Sequence, residues 1–454
     1  MDNIYLKGYI EHGENIYTFT YKEKLLTLIS VKPDYNFLPD RETIVYFKGL
    51  TVDNCEVIFY IDNEITYHNG VYESIPKAVI LARTNETEIF EEGFDSLSFS
   101  GGVINRFYSN ERMIKMEKFD YNSSMNINEK FSFKSTEETI SSEKVDLNNI
   151  KTTFELCVMN PGWKNDEGFV FNDFNSQLRI KYDERYGYEK NIENIFSIID
   201  FFRFCCNRSE ITVDNIYMER NDINGKKYYA AKVIVPCFKK ENNIKRMINY
   251  NFIEEKLNNI FKVLEKSNYI YNILPKNDFD FSKISNKDYV SVFSCFESLY
   301  KNKKDIEVEI QSKDEENFLL VKEDVLNTLN GKIDIYAGKK KEYLRNIIHI
   351  VESYNLILVK KLKYLYEDYQ FLLNILVNMK IEDIAEIGIY NFFDNAVKTR
   401  NNITHADVVE LTEADIEAYY MIIRMNYIII LENAGLDIDK ITSCVQYLSN
   451  INIL

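Results

Sequence analysis

The sequence predicts an α+β protein: a β-rich N-terminal sandwich or open barrel with packed helices, followed by an all-α helical bundle. Three observations carry this. Up to about residue 182, apolar residues recur mostly with period two, in short β-branched and aromatic runs separated by polar, Gly- or Asn-rich breaks. After residue 288 the period becomes 3.6. Between these regimes, residues 276–288 are polar and uneven, as linkers are. The expected domains are therefore 1–275 and 285–454.

The first strand signal is Tyr17, Phe19 and Tyr21 alternating with Thr18 and Thr20. Ile44–Phe47, Val57–Ile61, Val79–Leu81, Phe131 with Phe133, Phe154–Val158, Phe169–Phe171 and Leu178–Tyr182 follow in the same style. Many short strands with such turns suggest an antiparallel sandwich or open barrel. Ser100-Gly101-Gly102 lies inside an apolar stretch and is expected to be a bulge or bend; no Lys-Ser/Thr follows, as a phosphate loop would need. Ile192, Ile195, Phe196, Ile199 and Phe202 make one apolar helical stripe. Ile211–Arg220 and Lys227–Pro236 flank Asn221-Asp222-Ile223-Asn224-Gly225, a hairpin signal. Ile253, Leu257, Ile260, Phe261 and Leu264 give a second amphipathic helix.

In the second half, Val290, Phe293, Phe296 and Leu299 share a helix face with Glu297 beside it. Phe318–Leu329, the run from Lys339-Lys340-Lys341 to Tyr354, Leu356–Val377 and Ile381–Thr399 continue the helical period. Thr412-Glu413-Ala414-Asp415 reads as a capping box, opening a helix that Ala434-Gly435 ends. Long helices joined by short links make an antiparallel bundle.

Composition narrows the function classes. The net charge of −16 gives no general attraction to nucleic acid, so any RNA site must be a local patch. The cysteines at 55, 157, 205, 206, 237, 295 and 444 show no C-x-x-C spacing, which reads as reduced thiols packed in cores; Cys205-Cys206, among phenylalanines, reads the same way. With four histidines no zinc site assembles by spacing, and neither a metal nor a cofactor is expected. Met1-Asp2-Asn3-Ile4-Tyr5 has no basic n-region or apolar h-region, and no run approaches twenty apolar residues. A cytoplasmic protein is expected.

One stretch concentrates chemistry: Thr399-Arg400-Asn401-Asn402-Ile403-Thr404-His405-Ala406-Asp407. Arg is a planar, always-charged fork suited to phosphate. His takes and gives a proton near neutral pH. Five positions are close to one and a half helical turns, so a continuous helix puts the pair on nearly opposite faces. They converge only if the helix breaks after Arg400, or if a second copy supplies the partner.

Phe293-Ser294-Cys295-Phe296-Glu297-Ser298-Leu299-Tyr300 resembles the early helix of HEPN domains, whose Glu precedes a hydrophobic turn. Phe393 to His405 resembles the HEPN R-x4-6-H motif in its Arg-Asn-x-x-x-His form. The run from Lys339 to Asn378, with its basic Lys360-Lys361-x-Lys363 turn, is similar to the ApeA-type HEPN domain of anti-phage defence proteins. The helical resemblance covers about residues 285–432, and the β-rich N-terminal half matches in architecture. The acidic segment 305–318 departs from the pattern.

The resemblance implies a metal-independent endoribonuclease of abortive-infection defence, cutting RNA, with tRNA the expected class. It implies a homodimer through the HEPN domain, two Arg–His pairs facing each other, and no membrane. Arg400 and His405 are its catalytic residues, Asn401 and Glu297 their supports. Lys339, Lys340, Lys341, Lys360, Lys361 and Lys363 are the candidate RNA track. The β-rich half would sense or restrain, responding to a phage-derived trigger.

Plainer readings stand beside these. Arg400 suits a helix C-terminal cation, Asn401 a C-cap, His405 a loop histidine, and the lysines a solvated face. His349 reads as core, while His12 and His68 fall in turns. Trp163 follows Asn160-Pro161-Gly162, a loop where base stacking is an alternative to packing. The rival functions are a catalytically inactive HEPN domain that binds nucleic acid or protein or dimerises, and a toxin partner controlled by another enzyme.

Overall fold

The period-two runs become strands, and fourteen of the strands join into one sheet. The computed structural model describes residues 4–12, 15–31, 45–62, 65–68, 70–83, 90–108, 115–116, 131–132, 138–159, 163–165, 168–170, 175–236, 246–275, 284–301, 313–353, 358–375, 388–405 and 409–449. The chain divides into two compact units, Met1–Phe261 and Lys262–Leu454. This division precedes the polar stretch at 276–288, of which 276–283 lie outside the described residues.

The first unit holds β1 (Leu6–His12), β2 (Asn15–Lys22), β3 (Leu25–Ser30), β4 (Val45–Thr51), β5 (Glu56–Ile61), β6 (Thr66–His68), β7 (Val71–Ser74), β8 (Ala78–Ala82) and β9 (Phe94–Ser100). It continues with β10 (Lys115–Met116), β11 (Phe131–Ser132), β12 (Glu138–Leu147), β13 (Ile150–Met159), β14 (Trp163–Asn165), β15 (Gly168–Val170), β16 (Asn175–Tyr186), β17 (Asn215–Asn221) and β18 (Lys227–Ile234). Fourteen of them form a sheet in the order β12-β13-β16-β9-β17-β18-β8-β5-β4-β1-β2-β3-β7-β6; β10–β11 and β14–β15 are separate two-stranded ribbons. The expected β-rich half is thus one continuous antiparallel ladder rather than two separate sheets. Every neighbour in the long sheet stays hydrogen-bonded to the next, so no gap divides it into layers.

Burial is achieved instead by curling. Phe19 of β2 and Phe59 of β5 are three strand positions apart, about 14 Å in a flat sheet. Their ring centroids are 5.1 Å apart. Tyr17 and Tyr72, two positions apart, meet edge to face at 6.1 Å. This end of the sheet wraps around a core of Ile10, Tyr17, Phe19, Leu28, Phe47 and Phe59, and two glycines allow it. A Cβ on Gly8 would lie 2.8 Å from Phe19 Cε1 and from Thr51 Cα, and closer still to the Leu50 carbonyl oxygen. One on Gly49 would lie 2.7 Å from the Tyr9 carbonyl oxygen. Such close approach is what glycine in a strand provides.

The other end of the sheet is covered by helices. Gly101, at φ 132°, makes the expected bend and leads into α1 (Gly102–Phe107), and the Asp214 carboxylate accepts from Gly102 N–H at 3.0 Å. Helix α2 (Tyr188–Cys206) lays Ile195, Ile198, Phe201 and Phe202 inward, where Phe201 packs on Phe107, Phe154 and Phe261. The expected second helix is interrupted: α3 (Tyr250–Ile253) stops before Glu255, whose φ is 66°, and α4 (Leu257–Lys266) follows. This segment also covers the sheet's free edge at β12. Asn258 Oδ1 accepts from Asp146 N–H at 2.9 Å, and Glu143 accepts from the Tyr250 hydroxyl at 2.7 Å and Glu255 N–H at 3.1 Å. On the opposite face of the sheet, Arg179 and Glu219 form a buried ion pair at 3.0 Å, and Glu219 also accepts from Ser96 at 2.6 Å.

The second unit is helical: α5 (Asn286–Lys301), α6 (Lys313–Gly331), α7 (Lys339–Ser353), α8 (Leu358–Asp368), α9 (Gln370–Ile375), α10 (Ile389–Thr404), α11 (Glu413–Asn433) and α12 (Ile438–Ser449). The run expected as a single helix over Leu356–Val377 is split at Tyr369 into α8 and α9. Of the helical run expected over Ile381–Thr399, residues 381–387 lie outside the described residues; α10 follows its N-cap Gly388, at φ 78°, and runs to Thr404. The capping box forms: the Thr412 side chain accepts from Asp415 N–H, and Asp415 accepts from Thr412 N–H at 3.0 Å. The expected features at Phe133, Phe171, Asn160-Pro161-Gly162 and Cys237 lie outside the described residues, as do the side chains of Trp163 and His349.

Candidate functional site

Helix α10 buries Phe392, Phe393, Ala396 and Val397, spaced three and four apart, and Arg400 is next on that line. A stripe that is apolar for two turns thus carries the guanidinium into a half-buried position. On α5, Tyr289, Phe293 and Glu297 recur every four residues and fall on one face in the same way. The two lines meet. Arg400 Nη2 donates to Glu297 Oε2 at 3.0 Å, and Nη1 donates to Asn401 Oδ1 at 3.0 Å. Arg400 Nε is buried with no hydrogen-bond partner among the described residues.

Tyr289 fixes this meeting two turns upstream. Its hydroxyl lies 3.3 Å from the Ala396 carbonyl oxygen and 3.2 Å from Asp415 Oδ1, tying α5 to α10 and to the capping box of α11. Burial, then the Asp415 charge, pushes its pKa up, so the phenol stays a neutral donor. Asn426 of α11 donates to the Val292 carbonyl at 3.3 Å, a second tie between α11 and α5.

His405 is the C-cap of α10, and its backbone N–H bonds to the carbonyls of Asn401 at 3.1 Å and Asn402 at 3.2 Å. Its side chain is exposed and forms no hydrogen bond to the described residues. The helix does not break after Arg400: Thr404 Oγ1 bonds back to the Arg400 carbonyl at 2.8 Å, and helical geometry continues to Thr404. Of the two routes by which Arg400 and His405 could meet, the one within a single chain is closed.

The structure thus gathers Arg400, Asn401 and Glu297 and leaves His405 at the helix end. The lysines are dispersed. Lys361 lies over the Tyr300 ring at 5.3 Å, three residues beyond Glu297 on α5, and Lys363 is 3.5 Å from Glu367. Lys339 and Lys340 are exposed at the start of α7, and Lys341 pairs with Asp334 at 3.3 Å. Arg424 of α11, marked by no motif, also has a nitrogen, Nη1, with no hydrogen-bond partner among the described residues. Burial pulls its pKa down to about 10, while Glu417 and Tyr420 act the other way. Its signal was Glu417, Tyr420 and Arg424 at three- and four-residue steps on an otherwise apolar helix. Cys295, one turn before Leu299, is no nucleophile: burial pushes its pKa up to about 12.

No group of metal-ligating side chains occurs among the described residues, and none of their helices is long and apolar enough to cross a membrane. The chain matches no protein-family model, no curated protein and no solved structure.

Proposed function

We propose that the helical unit is a HEPN ribonuclease domain. The chain is then a metal-independent, cytoplasmic endoribonuclease of abortive-infection defence that works as a homodimer, with tRNA the expected RNA class and the N-terminal unit answering a phage-derived trigger. The observation that supports it is the Arg400 group: a half-buried guanidinium oriented by Glu297 and Asn401 in the last turn of a helix that His405 ends. A phosphate reaches the fork by replacing the exposed Asn401 amide, since an anionic acceptor binds a guanidinium more strongly than a neutral amide oxygen does.

The chemistry uses RNA's own nucleophile. His405 takes the proton of a ribose 2′-OH as that oxygen bonds to phosphorus. The second copy's histidine protonates the 5′-oxygen as the P–O5′ bond breaks. Arg400 neutralises the charge that grows on the phosphate. The products carry 2′,3′-cyclic phosphate and 5′-hydroxyl ends, and DNA, lacking the 2′-OH, is spared.

The deciding experiment incubates the purified full chain and its His405→Ala variant with total RNA and a chelator, then maps the ends. The native protein is expected to cut, and the variant to fall by about 10²-fold or more. Equal cleavage by both removes His405 from the mechanism. A second reading, a catalytically inactive binding or dimerisation module, is favoured by the Glu297 carboxylate already neutralising Arg400. It wins if neither protein cuts under any trigger.

A further inference from the structure

The charged face of the long sheet is not fully matched within the chain. Cross-strand register puts Glu155, Arg179 and Ser98 in one row, and Lys181, Ser96 and Glu219 in the next. Directly opposite residues share a face, here the one turned away from Phe154 and α2. Tyr229 continues the second row, and Lys227, two positions earlier on β18, shares its face. The charges are graded in depth. Glu219 is 3% exposed, Arg179 8%, Glu155 9% and Lys181 39%, while Lys227 is exposed. Carboxylates thus lie deep and lysines toward solvent.

Most of these groups have partners. Arg179 Nε donates to Glu219 at 3.0 Å and Nη2 to Gln177 at 3.2 Å, and Lys181 donates to Glu155 Oε1 at 2.5 Å. Two groups are left over. Glu155 Oε2 is buried with no hydrogen-bond partner among the described residues. Lys227 pairs with neither carboxylate, although it lies within reach of their charge. Its pKa is lowered by burial and then by Arg179 and Lys181, against the opposing pull of Glu219 and Glu155. Counting Lys227, three cations face two carboxylates in a chain of net charge −16. An unmet buried acceptor is costly. Water can meet that oxygen but brings no charge to the amine, and a simple anion such as chloride does the reverse.

We infer that the Glu155–Lys181–Lys227 end of this face binds a small organic monoanion with a hydroxyl close to its charged group, the chemistry of a 2-hydroxy carboxylate. The ligand's carboxylate lies between the Lys227 and Lys181 amines, each an ammonium with three donors. Its hydroxyl donates to Glu155 Oε2. Lys181 already sits 2.5 Å from the other oxygen of Glu155, so the ligand's two groups must be only a few bonds apart. The half-exposed Lys181 stem is the part that moves to admit it. Charge narrows the class. A monoanion brings the cluster to neutrality, whereas a zwitterionic amino acid leaves one positive charge and a phosphate dianion leaves one negative.

The site lies within the first unit, and its test is independent of the ribonuclease reading. Titration calorimetry of the full chain with glycolate, in a carboxylate-free buffer, should show one saturable site with a Kd of about 1 mM or below. Acetate, which lacks only the hydroxyl, should bind about 10-fold more weakly, because Glu155 Oε2 stays unmet. Lys227→Gln, at an exposed position, should weaken glycolate binding about 10-fold or more, with the thermal midpoint unchanged. Glu155→Gln should bring glycolate and acetate level; should this buried variant not fold, Lys227→Gln decides. No glycolate binding up to about 10 mM overturns the inference. So does equal binding of acetate and glycolate by the native chain, or native affinity in Lys227→Gln. Glycine or glycerol 3-phosphate binding more tightly than glycolate overturns the choice of a monoanion.

Discussion

At the scale of single residues, position relative to a buried stripe explains most of what is seen. Arg400 is half-buried because it continues the line of Phe392, Phe393, Ala396 and Val397, and Glu297 because it continues that of Tyr289 and Phe293. Arg400→Lys keeps a charge but loses the fork that bonds Glu297 and Asn401 together. If RNA cleavage is measured, this variant should lose most activity, about 10²-fold or more, while folding as the native chain does. Wild-type rates would reject the phosphate-clamp role. The Arg400, Asn401 and Glu297 group was legible because each residue is marked by helical spacing or by a motif. The Arg179–Glu219 pair was not. Alternating polar residues on a strand read as a solvated face, yet Gln177, Arg179, Ser96 and Glu219 are all buried. Burial of that face depends on what the chain folds over it, which period alone does not encode.

At the scale of elements, the sequence was most informative where a helix or strand carried a clean period and a terminal signal. The capping box at Thr412 and Asp415 and the hairpin turn at Asp222–Gly225 are of this kind. It was least informative where backbone conformation decides. The break at Glu255, the split at Tyr369 and the helix start at Gly101 all interrupt apolar runs whose side chains alone suggest continuity. The choice between sandwich and open barrel stayed open for a related reason: strand period does not say whether a sheet curls or divides. Gly8 is the element-level key to that curl. Gly8→Ala should cost about 1–3 kcal/mol, because backbone atoms of Leu50 and Thr51 cannot move aside as a side-chain tip would. Urea unfolding followed by tyrosine fluorescence measures it, and an unchanged midpoint would show that the close approach relaxes without cost.

At the scale of the whole molecule, both units hide groups that ionise at alkaline pH. Burial pushes Cys206 in the first unit and Cys295 and Cys444 in the second up to about 12, from an ordinary thiol value of 9.0. Tyr21 is likewise held up to about 12 by burial, against an ordinary 10.0. Raised values mean that the folded state holds these protons more tightly than the unfolded chain does. The stability they contribute is whole below about pH 9 and drains away as pH rises toward 12. Urea midpoints are therefore expected to be level from about pH 7 to 8.5 and to fall steadily above that. A flat stability profile up to about pH 11 would contradict this reading of the buried thiols and phenols.

The capped end of the long sheet has a consequence for how the chain behaves in a crowd. A sheet with fourteen strands has two free rims, and one of them, β6, is only three residues long. The other, β12, is ten residues long, enough to template a strand from a neighbouring molecule. Asn258 takes the outward-facing Asp146 N–H, and the Tyr250–Glu255 turn is tied beside the rim through the Glu143 carboxylate, so part of the ladder edge is covered from within the same chain. A chain that lost these contacts would present more of an unpaired ten-residue edge to its neighbours.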